Sequence, residues 1–282
     1  MRDSTFMKLM GVLPKSSLSL AVGAATRAPA PAAVHQAAMR LFAKRYGVNL
    51  EEAEFGIEGY ARFSDFFARG LKPGSRPIAP GRNVLVSPVD GVISQIGTTT
   101  EDGQLVQAKG IDYSLAQLLG DAEAARTYAG GAFTTIYLSP RDYHRIHAPL
   151  EGDITGWSYL PGEFWPVNPA SVASKRALFA VNERLVTYLS TPAGRCAVVM
   201  VGATCVSRIR VTFSDVVTHA GRPGEVCTFS TPPHIAKGGE LGRFEMGSTV
   251  ILLFEKDRVR WDGELFAETA VRMGRRMGEV LP

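Results

Sequence analysis

The sequence predicts an α+β fold, with amphipathic helices at the N-terminus followed by a mostly antiparallel β core. Two features carry this prediction. Apolar residues recur at helical spacing within residues 1–70, and from Asn83 onward short runs rich in Val, Ile, Phe and Tyr alternate with Gly and Pro. There is no regular βαβ alternation, no G-x-G-x-x-G and no P-loop, which argues against a dinucleotide or nucleotide fold. With 282 residues, 45% hydrophobic and 21% charged, the chain is long and apolar enough to bury a sizeable core. Two regions follow, a helical segment 1–70 and a β-rich domain 71–282.

In the N-terminal segment Phe6, Leu9, Met10 and Leu13 fall on one helical face, and Val34, Ala37, Ala38, Leu41 and Phe42 on another. Ala28–Ala33, APAPAA, is a break between the two helices. Residues 1–46 hold seven Lys and Arg against the single acid Asp3, so the remainder of a chain with net charge +4 is slightly acidic. Basic character confined to one amphipathic segment points to an anionic membrane surface and not to nucleic acid. Packing on the chain's own domain is the other reading of Val34–Phe42 and stays open. The uncharged run between Lys15 and Arg27 is far shorter than the about 20 residues of a spanning helix. A secretory leader fits poorly, because Pro14 and Lys15 interrupt the apolar run.

Asn49–Glu52 resembles a capped helix start, a second short helix is expected to hold Phe63, Phe66 and Phe67, and Leu71–Ile78 an ordered turn. Strands are expected at Val84–Ser87, Val92–Ile96, Phe133–Leu138, Leu185–Leu189, Ala197–Val201, Ser207–Phe213 and Thr249–Phe254, with one helix, Leu115–Leu119, among them. Cys196, Cys205 and Cys227 show no C-x-x-C or Cys/His ligand spacing, so neither a disulfide framework nor a metal site is expected.

Three islands carry residue types suited to chemistry. Ser87–Ile93, SPVDGVI, places Asp90 in an Asp-Gly pair that by itself reads first as a hairpin turn. Ser139–Pro149, SPRDYHRIHAP, holds His144 and His147, which suit acid–base work; a pair of hydrogen-bonded loop histidines is the alternative. Arg243–Glu255 holds Gly247–Ser248 at the mouth of the apolar run Val250–Phe254. Taken locally, Gly-Ser is a tight turn entering a strand. Asp, His and Ser are together the types that deprotonate a weak hydroxyl, in the order orienter, base and nucleophile. The G-x-S-x-G elbow of many hydrolases is absent.

Across nearly its whole length the chain resembles bacterial phosphatidylserine decarboxylases, which are made as proenzymes. The resemblance rests on FFARGLKPGSRPI, VLVSPVDGVISQIG, QAKGIDYSLAQLL, TTIYLSPRDYHRIHAPLEG, PGEFWPVNP, NER, VGATCVSRI and GRFEMGSTVILLF, with Met246 where the family commonly has Leu. It implies autocatalytic serinolysis at Gly247–Ser248 into a large chain, 1–247, and a small chain, 248–282. Asp90, His147 and Ser248 would form the processing triad. Ser248 would become a covalent pyruvoyl group, the cofactor and Schiff-base site for converting phosphatidylserine to phosphatidylethanolamine in phospholipid biosynthesis. His144 is expected to position substrate or return a proton. The implied setting is peripheral, on the cytoplasmic face of the bacterial inner membrane; a homodimer is left open. A Ser/His/Asp lipid hydrolase without self-cleavage is the alternative.

Overall fold

The computed structural model describes residues 11, 14–108, 110–204, 208–218, 222–245 and 249–282. The expected helical face of Phe6, Leu9, Met10 and Leu13, and the bond Gly247–Ser248 with Met246 before it, lie outside the described residues.

Seven described helices of four residues or more are α1 (Lys15–Arg27), α2 (Ala32–Tyr46), α3 (Phe63–Phe67), α4 (Leu115–Leu119), α5 (Ala122–Thr127), α6 (Pro169–Val172) and α7 (Leu178–Val181). The strands are β1 (Val84–Val86), β2 (Gly91–Thr98), β3 (Gln104–Ala108), β4 (Ile111–Ser114), β5 (Ala132–Tyr137), β6 (Arg145–His147), β7 (Gly152–Leu160), β8 (Arg184–Thr191), β9 (Gly194–Val201), β10 (Ile209–Val211), β11 (Glu225–Thr228), β12 (His234–Ile235), β13 (Glu240–Phe244), β14 (Thr249–Phe254), β15 (Val259–Trp261), β16 (Ala270–Val271) and β17 (Arg276–Val280). Helices thus precede a strand-rich region whose paired strands all run antiparallel, which is the α+β fold the sequence predicts.

The largest sheet has the order β11-β7-β8-β9-β14-β5-β2-β16, with β12 also on β7. β14 sits at its centre, bonded to β9 on one side and β5 on the other, and all six of its residues are buried. A continuous apolar run suits a strand covered on both faces. Two three-stranded sheets, β1-β17-β15 and β10-β13-β6, and the β3-β4 hairpin complete the β structure. α4 begins at a capping box between Ser114 and Gln117 and ends on Gly120, whose φ of 69° suits glycine.

Hydrophobic side chains gather in two clusters. One runs from Leu85 to Met277 around β14; the other joins Met39, Ala43, Val48, Ile57, Tyr60, Phe63, Phe66 and Phe67. In α2 the inward stripe is His35, Met39 and Ala43, with Phe42 alongside. Val34, Ala37, Ala38 and Leu41 instead face outward, Leu41 being 70% exposed. α1 is turned the same way: it buries Ser19 and Gly23 and leaves Leu20, Ala21, Ala24 and Ala25 exposed. No described helix is long and apolar enough to cross a membrane.

Three local expectations change. The strand region holds not only the one helix, Leu115–Leu119, but also α5, α6 and α7, which at four to six residues are too short to show a helical period. Asn49 Oδ1 accepts from the Glu51 amide at 3.0 Å, but the turn does not propagate into a helix, since Leu50–Glu54 bends back to bond Gly70 and Lys72. Asp90-Gly91 is not a hairpin turn. β1 and β2 belong to different sheets, and Gly91 is required because a Cβ there would lie 2.4 Å from the Tyr137 carbonyl oxygen.

Candidate active site

The site assembles where β6 pairs with β13. His147 lies opposite Glu240 and Arg145 opposite Arg243, and the Phe244 amide donates to the His144 carbonyl at 3.0 Å. This pairing draws the histidine loop against the chain that leads through Glu245 into Gly247–Ser248. On the far side of that bond Thr249 starts β14, opposite Tyr137 and Val201. The His147 amide donates to the Pro88 carbonyl at 2.9 Å, which joins the Asp90 island to the histidine island.

His147 is buried, and both ring nitrogens are engaged. Nδ1 lies 2.8 Å from the Gly238 carbonyl oxygen and Nε2 3.0 Å from the Tyr143 hydroxyl. A carbonyl oxygen only accepts, so Nδ1 carries the proton and Nε2 carries the lone pair, to which Tyr143 donates. Burial holds the His147 pKa below its ordinary value, partly offset by the Gly238 carbonyl, Glu240 and Asp90. The same burial pushes the Tyr143 phenol up to about 12, so it is a donor at neutral pH. The two rings stack with centroids 5.6 Å apart.

Asp90 is equally well held, by other groups. Arg76 grips it in a fork, Nε to Oδ1 at 2.8 Å and Nη2 to Oδ2 at 2.5 Å, and the Met273 amide donates to Oδ1 at 2.8 Å. Arg76 also reaches Glu52 at 2.9 Å, which is shared with Arg272. The structure therefore brings the Asp90 and His147 segments together without a hydrogen bond between the two side chains. Asp90 acts on the imidazole through space, while the Gly238 carbonyl sets the tautomer. A cavity of about 310 Å³ opens beside Asp90, with Arg69, Arg76, Tyr143 and Arg272 on its walls.

His144 is completely buried, with its ring 4.2 Å from that of Phe67 in α3. Nδ1 donates to the Asp142 carbonyl at 2.8 Å, so Nε2 bears the lone pair, and that atom is buried without a partner among the described residues. Burial depresses the pKa to about 3, with the Asp142 carbonyl opposing and Arg69 assisting. The imidazole is neutral, and it accepts a hydrogen bond at Nε2 until it has itself taken up a proton.

Four participants escaped the sequence reading: Arg76, Tyr143, the Gly238 carbonyl and the Met273 amide. Tyr143 stood in plain view beside His144, and Arg76 lay inside the stretch read only as a turn. The other two are backbone groups, which residue types do not advertise.

The family description "Phosphatidylserine decarboxylase" matches residues 63–279. A phosphatidylserine decarboxylase proenzyme of Myxococcus xanthus is 64% identical over 280 residues, 99% of this chain and 100% of the relative. Proenzymes of the same description from Anaeromyxobacter sp. and Saccharophagus degradans are 54% and 42% identical, each over 99% of this chain and 99% of the relative. A family match over residues 63–279, with relatives 42–64% identical over nearly the whole chain, shows that this chain belongs to the phosphatidylserine decarboxylase family.

Proposed function

We propose that this chain cleaves itself between Gly247 and Ser248 and then decarboxylates phosphatidylserine to phosphatidylethanolamine with a pyruvoyl group made from Ser248. The observation that carries the reading is the His147 ring. It is buried and neutral, its Nε2 lone pair is held by the Tyr143 hydroxyl, and it stands on β6, which pairs with the strand whose chain continues to the scissile bond. In the first step Ser248 Oγ attacks the Gly247 carbonyl carbon as its proton passes toward Nε2, directly or through the Tyr143 hydroxyl. The amide becomes an ester, elimination across Cα–Cβ of Ser248 releases the carboxyl end of the large chain, and the dehydroalanine amine left behind tautomerises to an imine that takes up water and loses ammonia to give the ketone. Asp90, fixed by Arg76 and the Met273 amide, keeps a negative charge close enough to favour the transient imidazolium.

The surroundings fit the group. Thr249 Oγ1, next to position 248, and His144 Nε2 are both buried without partners among the described residues, so they are free of those residues to bond the group at position 248 or its substrate. The pyruvoyl carbonyl supplies the electron sink for loss of carbon dioxide. His144 Nε2 accepts a hydrogen bond from the substrate and so positions it; returning a proton requires that it first receive one. The exposed apolar faces of α1 and α2, neither of which contains an acid, lay the protein on an anionic membrane surface where its substrate resides.

Intact mass of purified protein tests the first step. Wild-type protein is expected as two chains, 1–247 and 248–282, the smaller with a blocked, carbonyl-bearing N-terminus. Ser248→Ala is expected as one uncut, inactive chain. A single uncut chain in active wild-type enzyme would overturn the reading.

A further inference from the structure

A second cleft, about 550 Å³, lies between the end of α1, the segment around Glu54–Gly70 and the β10-β13-β6 sheet. Six arginines line it: Arg27, Arg62, Arg145, Arg208, Arg210 and Arg243. Only three carboxylates do, Glu54, Asp65 and Glu245. Asp90, His144 and His147 do not line it, although it shares with the candidate active site the β6–β13 pairing through Arg145 and Arg243.

The arrangement of these charges is unusual for a merely structural surface. Arg210 pairs across the strands with Arg243, and Arg243 with Arg145, so three guanidinium side chains form one row over three adjacent strands. Like charges directly opposite on a sheet destabilise it. Partial compensation is present. Glu245 is shared by Arg27 at 3.3 Å and Arg210 at 3.4 Å, and Arg145 meets Glu240 at 2.9 Å. For Arg62, Arg208 and Arg243 no carboxylate lies within ion-pair reach among the described residues. Gly70 keeps one wall thin: a Cβ there would strike the Glu54 carboxylate and come within 3.3 Å of Arg145.

We propose that this cleft holds the phosphate of a membrane phospholipid. Planar guanidinium forks match phosphate oxygens in geometry and charge, and a phosphodiester would relieve the repulsion along the arginine row. Two observations favour a lipid over free phosphate as its source. Phe55, 52% exposed, stands on the rim, where an aromatic ring suits the boundary between headgroup and acyl chain. Arg27 closes α1, whose outward side chains include Leu18, Leu20, Ala21, Ala24 and Ala25, so the cleft lies at the end of the helix read as membrane-facing. The proposal rests on the membrane reading above only for this choice of source; the phosphate chemistry stands on the arginine row.

Isothermal titration of wild-type protein with dihexanoyl phosphatidylglycerol, a soluble anionic lipid without the serine headgroup, tests it. Saturable binding is expected, weakened at least tenfold in Arg208→Gln/Arg243→Gln. Arg208→Lys/Arg243→Lys, which keeps charge but loses the fork, should fall between. The melting temperature of the Gln variant should not drop, because repulsion has been removed; a large drop would mark a structural role and overturn the proposal. So would unchanged affinity in both variants. Inorganic phosphate binding as tightly as the lipid would overturn the lipid assignment. Flotation on neutral phosphatidylcholine vesicles reads the apolar helices alone, so its loss would count against the membrane reading and leave the arginine result standing.

Discussion

At the scale of single residues, tautomers decide what the histidines do. Burial keeps both imidazoles neutral, a carbonyl at Nδ1 puts the lone pair on Nε2, and among the described residues only that of His147 meets a donor. Tyr143→Phe keeps the stacked ring and removes that donor. Self-cleavage is expected to slow about tenfold, the loss of a hydrogen bond to a reacting group. The donor favours the neutral imidazole, so its removal raises the His147 pKa and moves the acid limb of the cleavage rate to higher pH. Gel-resolved cleavage kinetics across pH would show both effects, and unchanged kinetics would remove Tyr143 from the site. Stability follows the same logic. The folded pKa of His144, about 3, lies below the ordinary 6.5, so protons bind the unfolded chain first. Stability from this residue is complete above about pH 6.5 and lost as pH falls toward 3, by up to about 1.4 kcal/mol per pH unit. Denaturant midpoints of the Ser248→Ala protein at pH 7.5 and 5 should show this loss, and His144→Asn should flatten it. The residue types were legible in the sequence. What they bond was not, because Gly238 and Met273 act through backbone atoms and meet their partners only across strand pairings.

Single elements show which sequence signals are self-sufficient. β14 was readable because it is buried on both faces and so is apolar throughout. Ile251, fully buried at its centre, should cost about 2–5 kcal/mol of unfolding free energy on truncation to Ala, measured by denaturant titration. α2 is the opposite case. Its apolar pattern was correctly seen, yet periodicity says that a face is apolar and not what covers it. The core takes His35, Met39 and Ala43, and the predicted face, Phe42 excepted, turns outward. Replacing Leu20 and Leu41, both exposed, with Lys should leave the fold's stability within about 1 kcal/mol while reducing flotation on phosphatidylcholine vesicles several-fold. Undiminished flotation would exclude α1 and α2 as the docking surface. Strands such as β7 and β15–β17 escaped notice because Gly, Trp and charged residues dilute their alternation.

For the whole molecule, the residues after Ser248 are distributed through the fold and not appended to it. β14 is central in the largest sheet, β16 closes its edge on β2, and β15 and β17 build a second sheet on β1. The Met273 amide holds Asp90, and Arg272 pairs with Glu52. The two products of cleavage should therefore stay together as one particle: a single native mass, but two bands once denatured. Dissociation under native conditions would contradict this. The α+β class and the order of the islands could be read from the sequence, since both follow from local pattern. The sheet order could not, because it places β14 between strands that end more than a hundred and some fifty residues earlier.

The central position of β14 also bears on the enzyme's lifetime. Before the cut, a lost native state is recoverable, because one chain still encodes every pairing. After the proposed cut the middle strand would belong to a separate short peptide that must find its slot by a bimolecular encounter, with a converted residue at its end. Thermal damage to the processed enzyme should then be a one-way event whose rate depends on the unfolding barrier alone. Cleavage would turn an equilibrium fold into one that endures only as long as that barrier does.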